Sequence, residues 1–316
     1  MLKTAICELL GIEYPVIQGG MAYLGSPELV VAVSEAGGLG VLGTGNAAPD
    51  WVREQIRLVR MLTDRPFGAN VLLMSPFAEE VMKVVIEEEV PLVTTGGGDP
   101  SMYIAELKAA GATVAPVVSS VATSKRLANL GVDALIAEGM ESAGHVGDVT
   151  TMALVPQVVD SVTIPVIAAG GITDGRGLVA ALALGAEAVQ MGTRFVCAEE
   201  CIAHPGFKQR ILEADGHVPV IIGQSTGHPI RCLENELTRQ ISAKEGSSQP
   251  VDEYFRAGKV YSGVIEGKVE DGFLMAGQGV GLIGEIKSAK QIIQDLIAEA
   301  EEVIAGFSRC LNGGYL

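Results

Sequence analysis

The chain has 316 residues, 48% of them hydrophobic, 19% charged and 4% aromatic, and its 40 glycines form no low-complexity tract, which excludes disorder. No apolar run approaches the ~18 residues of a spanning helix, and 38 acidic against 22 basic residues leave a net charge of −16, a field that repels nucleic acid and anionic membrane. Five cysteines without framework spacing and an N-terminus without a secretory pattern lead to the expectation of a reduced, cytoplasmic protein.

Short apolar runs occur at Tyr14–Gln18, Gly40–Gly43, Phe67–Leu72, Pro91–Thr95, Thr113–Val118, Asp133–Ala137, Pro165–Ala169 and Ala188–Met191. They are apolar at nearly every position, the pattern of parallel strands covered on both faces. Helical stretches lie between them. Pro49–Leu62 carries Trp51, Val52, Ile56, Val59 and Met61 at helical spacing, and Glu79–Glu88 carries Val81, Met82, Val84, Val85 and Ile86. Ser26-Pro27, Asp50, Ser75-Pro76, Asp99-Pro100 and Asp174 read as helix starts, and Gly37, Gly111, Gly131 and Gly185 as helix ends. Eight strand–helix units in the first 200 residues predict an α/β fold, a closed (β/α)₈ TIM barrel, although strand counting alone also allows an open doubly wound sheet.

The alternation stops after Arg194. Residues 201–285 mix short apolar runs with Gly, Pro and Ser and read as a smaller substrate-binding cap subdomain inserted after strand eight. From Ile286 to Ala305 one amphipathic helix follows, with Ile292, Ile293, Leu296, Ile297 and Ile304 on its stripe. The expected division is a barrel of residues 1–200 plus 286–316, closed by that helix, and a cap of 201–285.

Reactive groups of a barrel sit at the C-terminal ends of its strands. The seventh and eighth strands end in Ala168-Ala169-Gly170-Gly171-Ile172 and Gln190-Met191-Gly192-Thr193-Arg194. Glycine there lets backbone approach a ligand, and exposed amides suit a phosphate. The sixth strand runs into Glu138-Gly139-Met140-Glu141-Ser142-Ala143-Gly144-His145. A histidine in such a loop can titrate near neutral pH and donate a hydrogen bond or a proton. Gln18-Gly19-Gly20-Met21 and Asn70 end the first and third strands, and their neutral groups suit an uncharged heteroaromatic edge.

Three motif matches carry little. Gly38-Leu39-Gly40-Val41-Leu42-Gly43 fits a dinucleotide fingerprint but becomes a strand where a helix should begin. Gly223-Gln224-Ser225-Thr226-Gly227 fits a nucleophile elbow, yet only His228 follows Ser225, too near to serve as its base. Cys197, Cys201 and His204 are spaced by helical turns, but core cysteines are the simpler reading and no metal is expected.

Taken together, these strings resemble the flavin-dependent enoyl-acyl-carrier-protein reductases of type II, which share an FMN-barrel superfamily with the nitronate monooxygenases. The resemblance runs from Ile17-Gln18-Gly19-Gly20-Met21-Ala22 to Met275-Ala276-Gly277-Gln278 and includes Gly45-Asn46-Ala47, Pro66-Phe67-Gly68-Ala69-Asn70, Gly144-His145 and Thr150-Thr151-Met152. It implies FMN in the barrel mouth, with the phosphate on amides around Gly170, Gly171, Gly192 and Thr193. Gly20, Met21, Gly45, Asn46, Asn70 and Gln190 would line the ring and ribityl chain, and Glu138 and Met191 join the same cofactor set. One departure is Ala143, where the family usually has glycine.

The resemblance further implies NADH or NADPH as electron donor, with a monovalent cation as an optional component, and a homodimer. The reductase branch would act on a trans-2-enoyl thioester of acyl carrier protein in fatty acid elongation, with His145 as catalytic donor. The oxygenase branch would use the same histidine as a base on a nitroalkane. Because a carrier protein is acidic, a basic receiving surface is expected in the insertion, from Lys208, Arg210, Arg231, Arg239, Arg256 and Lys259.

Overall fold

The structure, a computed structural model, describes residues 2–255 and 258–311, without the side chains of 310 and 311. In chain order the strands are β1 (Val16–Gln18), β2 (Gly40–Gly43), β3 (Phe67–Leu72), β4 (Leu92–Gly96), β5 (Thr113–Val114), β6 (Val117–Val118) and β7 (Leu135–Glu138). The two-residue β8 (Gly144–His145) precedes β9 (Val166–Ala169), β10 (Ala188–Met191), β11 (Pro219–Ile222) and β12 (Ile230–Leu233). β5 and β6 are halves of one barrel strand, split at Ala115-Pro116 because proline has no N–H for the ladder. β5 pairs with β4 and β6 with β7.

Parallel pairing runs β2-β3-β4-β5 and β6-β7-β9-β10-β1, and the Ile17–Leu39 bridge joins β1 to the entry of β2. The ladder therefore returns to its start, and the doubly wound alternative falls away. Side chains alternate along each strand although both faces are apolar. Ile17, Val41, Leu92, Ile136, Ile167 and Ala188 cluster inside the barrel with Ile6, Cys7 and Leu10 of the first helix, Ala5–Leu10. Their neighbours Val16, Leu42, Val93, Leu135, Val166 and Val189 pack outward against the helices. The same alternation turns Asn70, Thr94, Glu138 and Gln190 inward at the strand ends, so the uppermost inner layer is polar.

Pro49–Leu62 forms with the expected bounds, but only Val52, Ile56 and Val59 of its stripe are buried; Trp51 and Met61 face outward. Asp174 caps its helix by accepting from the Gly177 amide at 3.1 Å. Asp50, Ser75 and Asp99 are not N-caps. Ala48, Phe77 and Tyr103 hold those positions, while the Ser75 and Asp99 side chains accept from the amides two residues on and shape turns before the helix. The four helix-ending glycines all take left-handed φ, between +83° and +93°.

The chain leaves the barrel rim at Ala198 and returns beside it at Lys287, where the two residues form a parallel bridge. Between them lie the β11–β12 hairpin and the helix Glu236–Gly246, started by a capping box of Asn235 and Thr238. A separate small core of Ile222, Ile230, Cys232, Leu237, Ile241 and Phe273 holds this part together. The last helix, Ala289–Leu311, begins later than expected; Ile292, Ile293, Leu296 and Ile297 are buried, whereas Ile304 is exposed, beyond the edge of the barrel.

That helix docks on the helix Gly175–Ala183, and Gly175 makes the approach possible. A Cβ there would stand 2.6 Å from the Leu296 carbonyl oxygen and collide with the Ala300 amide. Gly175→Ala should therefore cost ~1–3 kcal/mol through overpacking, while Gly284→Ala, with open space around it, should be near neutral. Urea unfolding of both variants checks the contrast; equal costs would show that the helix contact is not tight.

Candidate active site

A cavity of about 730 Å³ opens over the C-terminal ends of the barrel strands, beneath the insertion, a size usual for cofactor sites. Gly20 and Met21 after β1, and Gly45 and Asn46 after β2, lie on its wall. Glu138 stands at the end of β7, Gly170 and Gly171 follow β9, and Gln190, Met191, Gly192 and Thr193 close the ring from β10. His145 reaches the same cavity from β8. Asn70 does not line it. The Gly19-Gly20 turn crosses in front, so close that a Cβ on Gly20 would lie 2.9 Å from the Asn70 Cγ. Asn70 Oδ1 instead accepts from Thr94 Oγ1 at 2.9 Å and stiffens the floor.

Two of the glycines differ in what they do: the backbone requires one, and the other leaves space open. Gly170 has φ +98°, and a Cβ would stand 2.8 Å from the Gly139 carbonyl oxygen. Gly192 has ordinary φ −107° but opens the helix Thr193–Val196, and a Cβ there would meet only Met21 Sδ, at 3.6 Å. The first amides of a helix have no intrahelical partner. Here open space lies before them, a suitable seat for an anionic group.

The loop that carries His145 is fixed at several points. The Glu141 carboxylate accepts from the Thr151 amide at 2.8 and 3.0 Å and from Thr151 Oγ1 at 2.9 Å, at the start of the helix Thr151–Val159. The Glu141 carbonyl accepts from the Gln278 amide at 2.9 Å. β8 then pairs antiparallel with β12, His145 opposite Ile230 and Gly144 opposite Arg231. The insertion thus supplies the strand that holds the histidine. No residue of the described chain hydrogen-bonds the His145 ring, which is open to the cavity. The neighbouring protein partly desolvates the ring although one side stays exposed, and this, with the nearby His228, lowers its pKa from the ordinary histidine value. In its neutral form an imidazole offers one N–H and one lone pair. At the floor, burial pushes the Glu138 carboxyl up to about 7, against the pull of the Ser142 hydroxyl.

Val260, Val264, Phe255, Phe273 and Met275 of the insertion form an apolar wall across from the polar floor. His228 shares the cavity with His145, a role no sequence signal marked. Glu141 and Thr151 escaped notice likewise, because their contact crosses ten residues of chain and follows no local spacing.

Among the described residues, each cation expected to form a receiving surface is engaged within the chain. Lys208 and Arg231 are buried and donate to carbonyl oxygens. Arg210 pairs with Glu270, Arg239 with Glu236, and Lys259 with Asp271, all within 3.3 Å; Arg256 lies outside the described residues. In so acidic a chain, carboxylates neutralise the cations locally. Ser225 is no nucleophile: it donates to Glu245 at 2.7 Å from the short turn Gln224–Thr226. Cys197 and Cys201 are buried, the Cys197 thiol pushed up to about 11, and His204 accepts from the Gly206 amide at 3.0 Å.

Residues 3–83 and 76–299 match the family model described as nitronate monooxygenase. The chain belongs to the nitronate monooxygenase family. Members of the family are FMN-dependent oxidoreductases on this barrel. The structure of FabK from Thermotoga maritima is 49% identical, covers 98% of this chain and 99% of its own, and superposes with a TM-score of 0.95. A probable nitronate monooxygenase of Staphylococcus saprophyticus is 32% identical over 96% of this chain and 99% of its own. At 32% over 95% and 96% stands a Rhodococcus jostii protein named (3aS,4S,5R,7aS)-5-hydroxy-7a-methyl-1-oxo-octahydro-1H-indene-4-carboxyl-CoA dehydrogenase.

The high pKa of Glu138 has a consequence for stability. Folded, it lies near 7, above the 4.5 of an unperturbed carboxyl. Its stabilising contribution is therefore complete below pH 4.5 and is lost as pH rises through 7. Glu138→Gln cannot ionise and lacks this loss. Urea unfolding of flavin-free protein should show the wild type weakening relative to the variant between pH 5 and pH 8. Parallel pH profiles would mean that the carboxyl ionises in the ordinary range.

Proposed function

We propose that this chain is an FMN-dependent reductase that uses NADH or NADPH to reduce trans-2-enoyl thioesters, with acyl carrier protein as the physiological carrier. The observation that carries this reading is the 49% identity with FabK, an enoyl-acyl-carrier-protein reductase, along almost the whole of both chains. The probable nitronate monooxygenases stand at 32–35%. A relative whose name is that of a carboxyl-CoA dehydrogenase further supports an acyl thioester as the substrate class.

The cavity fits FMN: two backbone turns come within reach of one space that a side chain on Gly192 would fill. Gly170, Gly171, Gly192 and Thr193 would hold the phosphate through amides, and Gly20, Met21, Gly45, Asn46, Glu138, Gln190 and Met191 the rest. Bound FMN supplies hydride transfer. The chain's own residues must place the thioester and answer the charge that develops on its oxygen. His145 presents an imidazole N–H to the cavity, with no hydrogen-bond partner for the ring among the described residues, and would hold that oxygen. The apolar wall of the insertion would take the acyl chain, and its ionic pairs leave carrier recognition to the tethered thioester arm more than to a basic face.

The family description favours a second reading, oxidation of nitroalkanes through their nitronates with oxygen, in which the lone pair of His145 would take the α-proton of the neutral nitroalkane. NADH-dependent turnover of crotonyl thioester against oxygen-dependent consumption of a nitroalkane separates the two.

Two variants test the site. Gly192→Val keeps an allowed φ, and its Cβ meets only Met21; the protein should fold, purify colourless and bind less than a tenth of the wild-type FMN. Full flavin content would remove Gly192 from the phosphate seat. His145→Ala should retain FMN and still be bleached by NADH at a near-normal rate. It should lose ~2.7–4 kcal/mol of barrier stabilisation, about a hundred- to thousandfold, in enoyl thioester reduction. Anaerobic stopped-flow of the two half-reactions reads both; enoyl reduction within a few-fold of wild type would make the histidine a bystander.

A further inference from the structure

Arg231 stands out among the cations of the insertion. It is only 3% exposed, yet no carboxylate lies within ion-pairing distance among the described residues. Burying a guanidinium costs several kcal/mol unless its donors are satisfied. Here the acceptors are backbone oxygens: Nε and Nη2 donate to the Met140 carbonyl at 3.2 and 3.0 Å, and Nη1 reaches the Pro219 carbonyl at 3.5 Å. Met140 lies in the loop between Glu138 at the cavity floor and His145 at its wall. Through its backbone, Arg231 occupies the register position opposite Gly144, immediately before the histidine. One side chain therefore grips the start of the loop and one backbone grips its end.

From this arrangement we infer that Arg231 is a positioning residue for the reaction: its forked guanidinium sets the Met140–His145 loop so that the imidazole faces the reacting thioester. The inference rests on the proposed role of His145. It assigns Arg231 away from a surface docking role, since a buried group whose donors are committed to Met140 and Pro219 cannot meet a partner protein. It also gives a reason for arginine over lysine. The planar fork reaches one carbonyl with two donors, whereas an ammonium presents a point charge at a different distance. The nearby Glu141 carboxylate is already engaged by Thr151 and adds a long-range field rather than a bond.

Displacing a reacting group by about an ångström costs on the order of a hundredfold in rate. Arg231→Lys should therefore lower kcat for crotonyl thioester reduction about ten- to a hundredfold, with KM within threefold, while FMN content and bleaching by NADH stay near wild type. Arg231→Met, similar in length but without donors, should lose at least as much. A double-mutant cycle decides whether the effect passes through the histidine. In the His145→Ala background, Arg231→Lys should have little further effect, under threefold. The same ten- to hundredfold loss in both backgrounds would overturn the positioning role and leave Arg231 acting on its own. Unchanged kcat in Arg231→Lys and Arg231→Met would overturn it too. Loss of FMN together with turnover in both variants would mean that Arg231 supports the barrel mouth as a whole. If His145→Ala itself keeps its turnover, it is the reading of His145 that fails, a result visible in the single variant before the cycle is drawn.

Discussion

The antiparallel pairing of Gly144–His145 with Ile230–Arg231 is the contact on which the site depends. A βα loop of a barrel rim is anchored only at its two ends, and an isolated imidazole on such a loop would sample many positions. Here the insertion lends a strand edge. The loop gains a backbone ladder, and the insertion gains its attachment to the barrel mouth through the same hydrogen bonds. The β11–β12 hairpin would otherwise leave β12 with an open edge facing the cavity. Covering that edge with the histidine's own strand removes an unsatisfied row of amides and carbonyls and fixes the backbone that carries His145 at once.

The barrel below supplies the complementary half by a simpler rule. Strand alternation is apolar through Ile136, Ile167 and Ala188 and turns polar only at the last inward layer, with Asn70, Thr94, Glu138 and Gln190. Glu138 is the costly member. A carboxyl at this depth stays neutral to about pH 7, so the floor of the site can carry a proton at physiological pH that an exposed glutamate would have lost. Thr94 Oγ1 donates to Asn70 Oδ1, so part of this polarity is used between the two residues.

Much of this was legible in the sequence, for identifiable reasons. Buried parallel strands are continuous apolar runs, so Gly40–Gly43, Phe67–Leu72 and Ala188–Met191 fall where the runs do. Left-handed helix ends demand glycine, which made Gly37, Gly111, Gly131 and Gly185 readable as punctuation. Strand ends of a barrel converge, so the glycine pairs and His145 could be placed in one mouth. What escaped is long-range. That Asn70 is screened by Gly20, that Arg231 is buried beneath the His145 loop and that Arg210 and Arg239 are neutralised by carboxylates depend on which segments meet, and local patterning does not encode that. Net charge misled in the same way: it counts cations without saying which are already paired.

Reductase and oxygenase chemistry ask different things of one imidazole, and the structure bears on how a single scaffold serves both. Partial desolvation and the neighbouring His228 lower the His145 pKa and so favour the neutral ring, which has an N–H for a developing oxyanion and a lone pair for a departing proton in the same place. Nothing in the barrel forces the choice, because the glycine loops and the polar floor would serve either substrate. The choice falls to whatever the cavity admits beside the ring. That boundary is drawn by Val260, Val264, Phe255, Phe273 and Met275, all contributed by the insertion. A long apolar wall rewards an acyl chain by removing its methylenes from water, at ~0.8 kcal/mol for each one buried, whereas a short nitroalkane covers little of it. On the proposed reading, the segment between Ala198 and Lys287 would carry the specificity, and the barrel, with its histidine held by that same segment, would carry the chemistry.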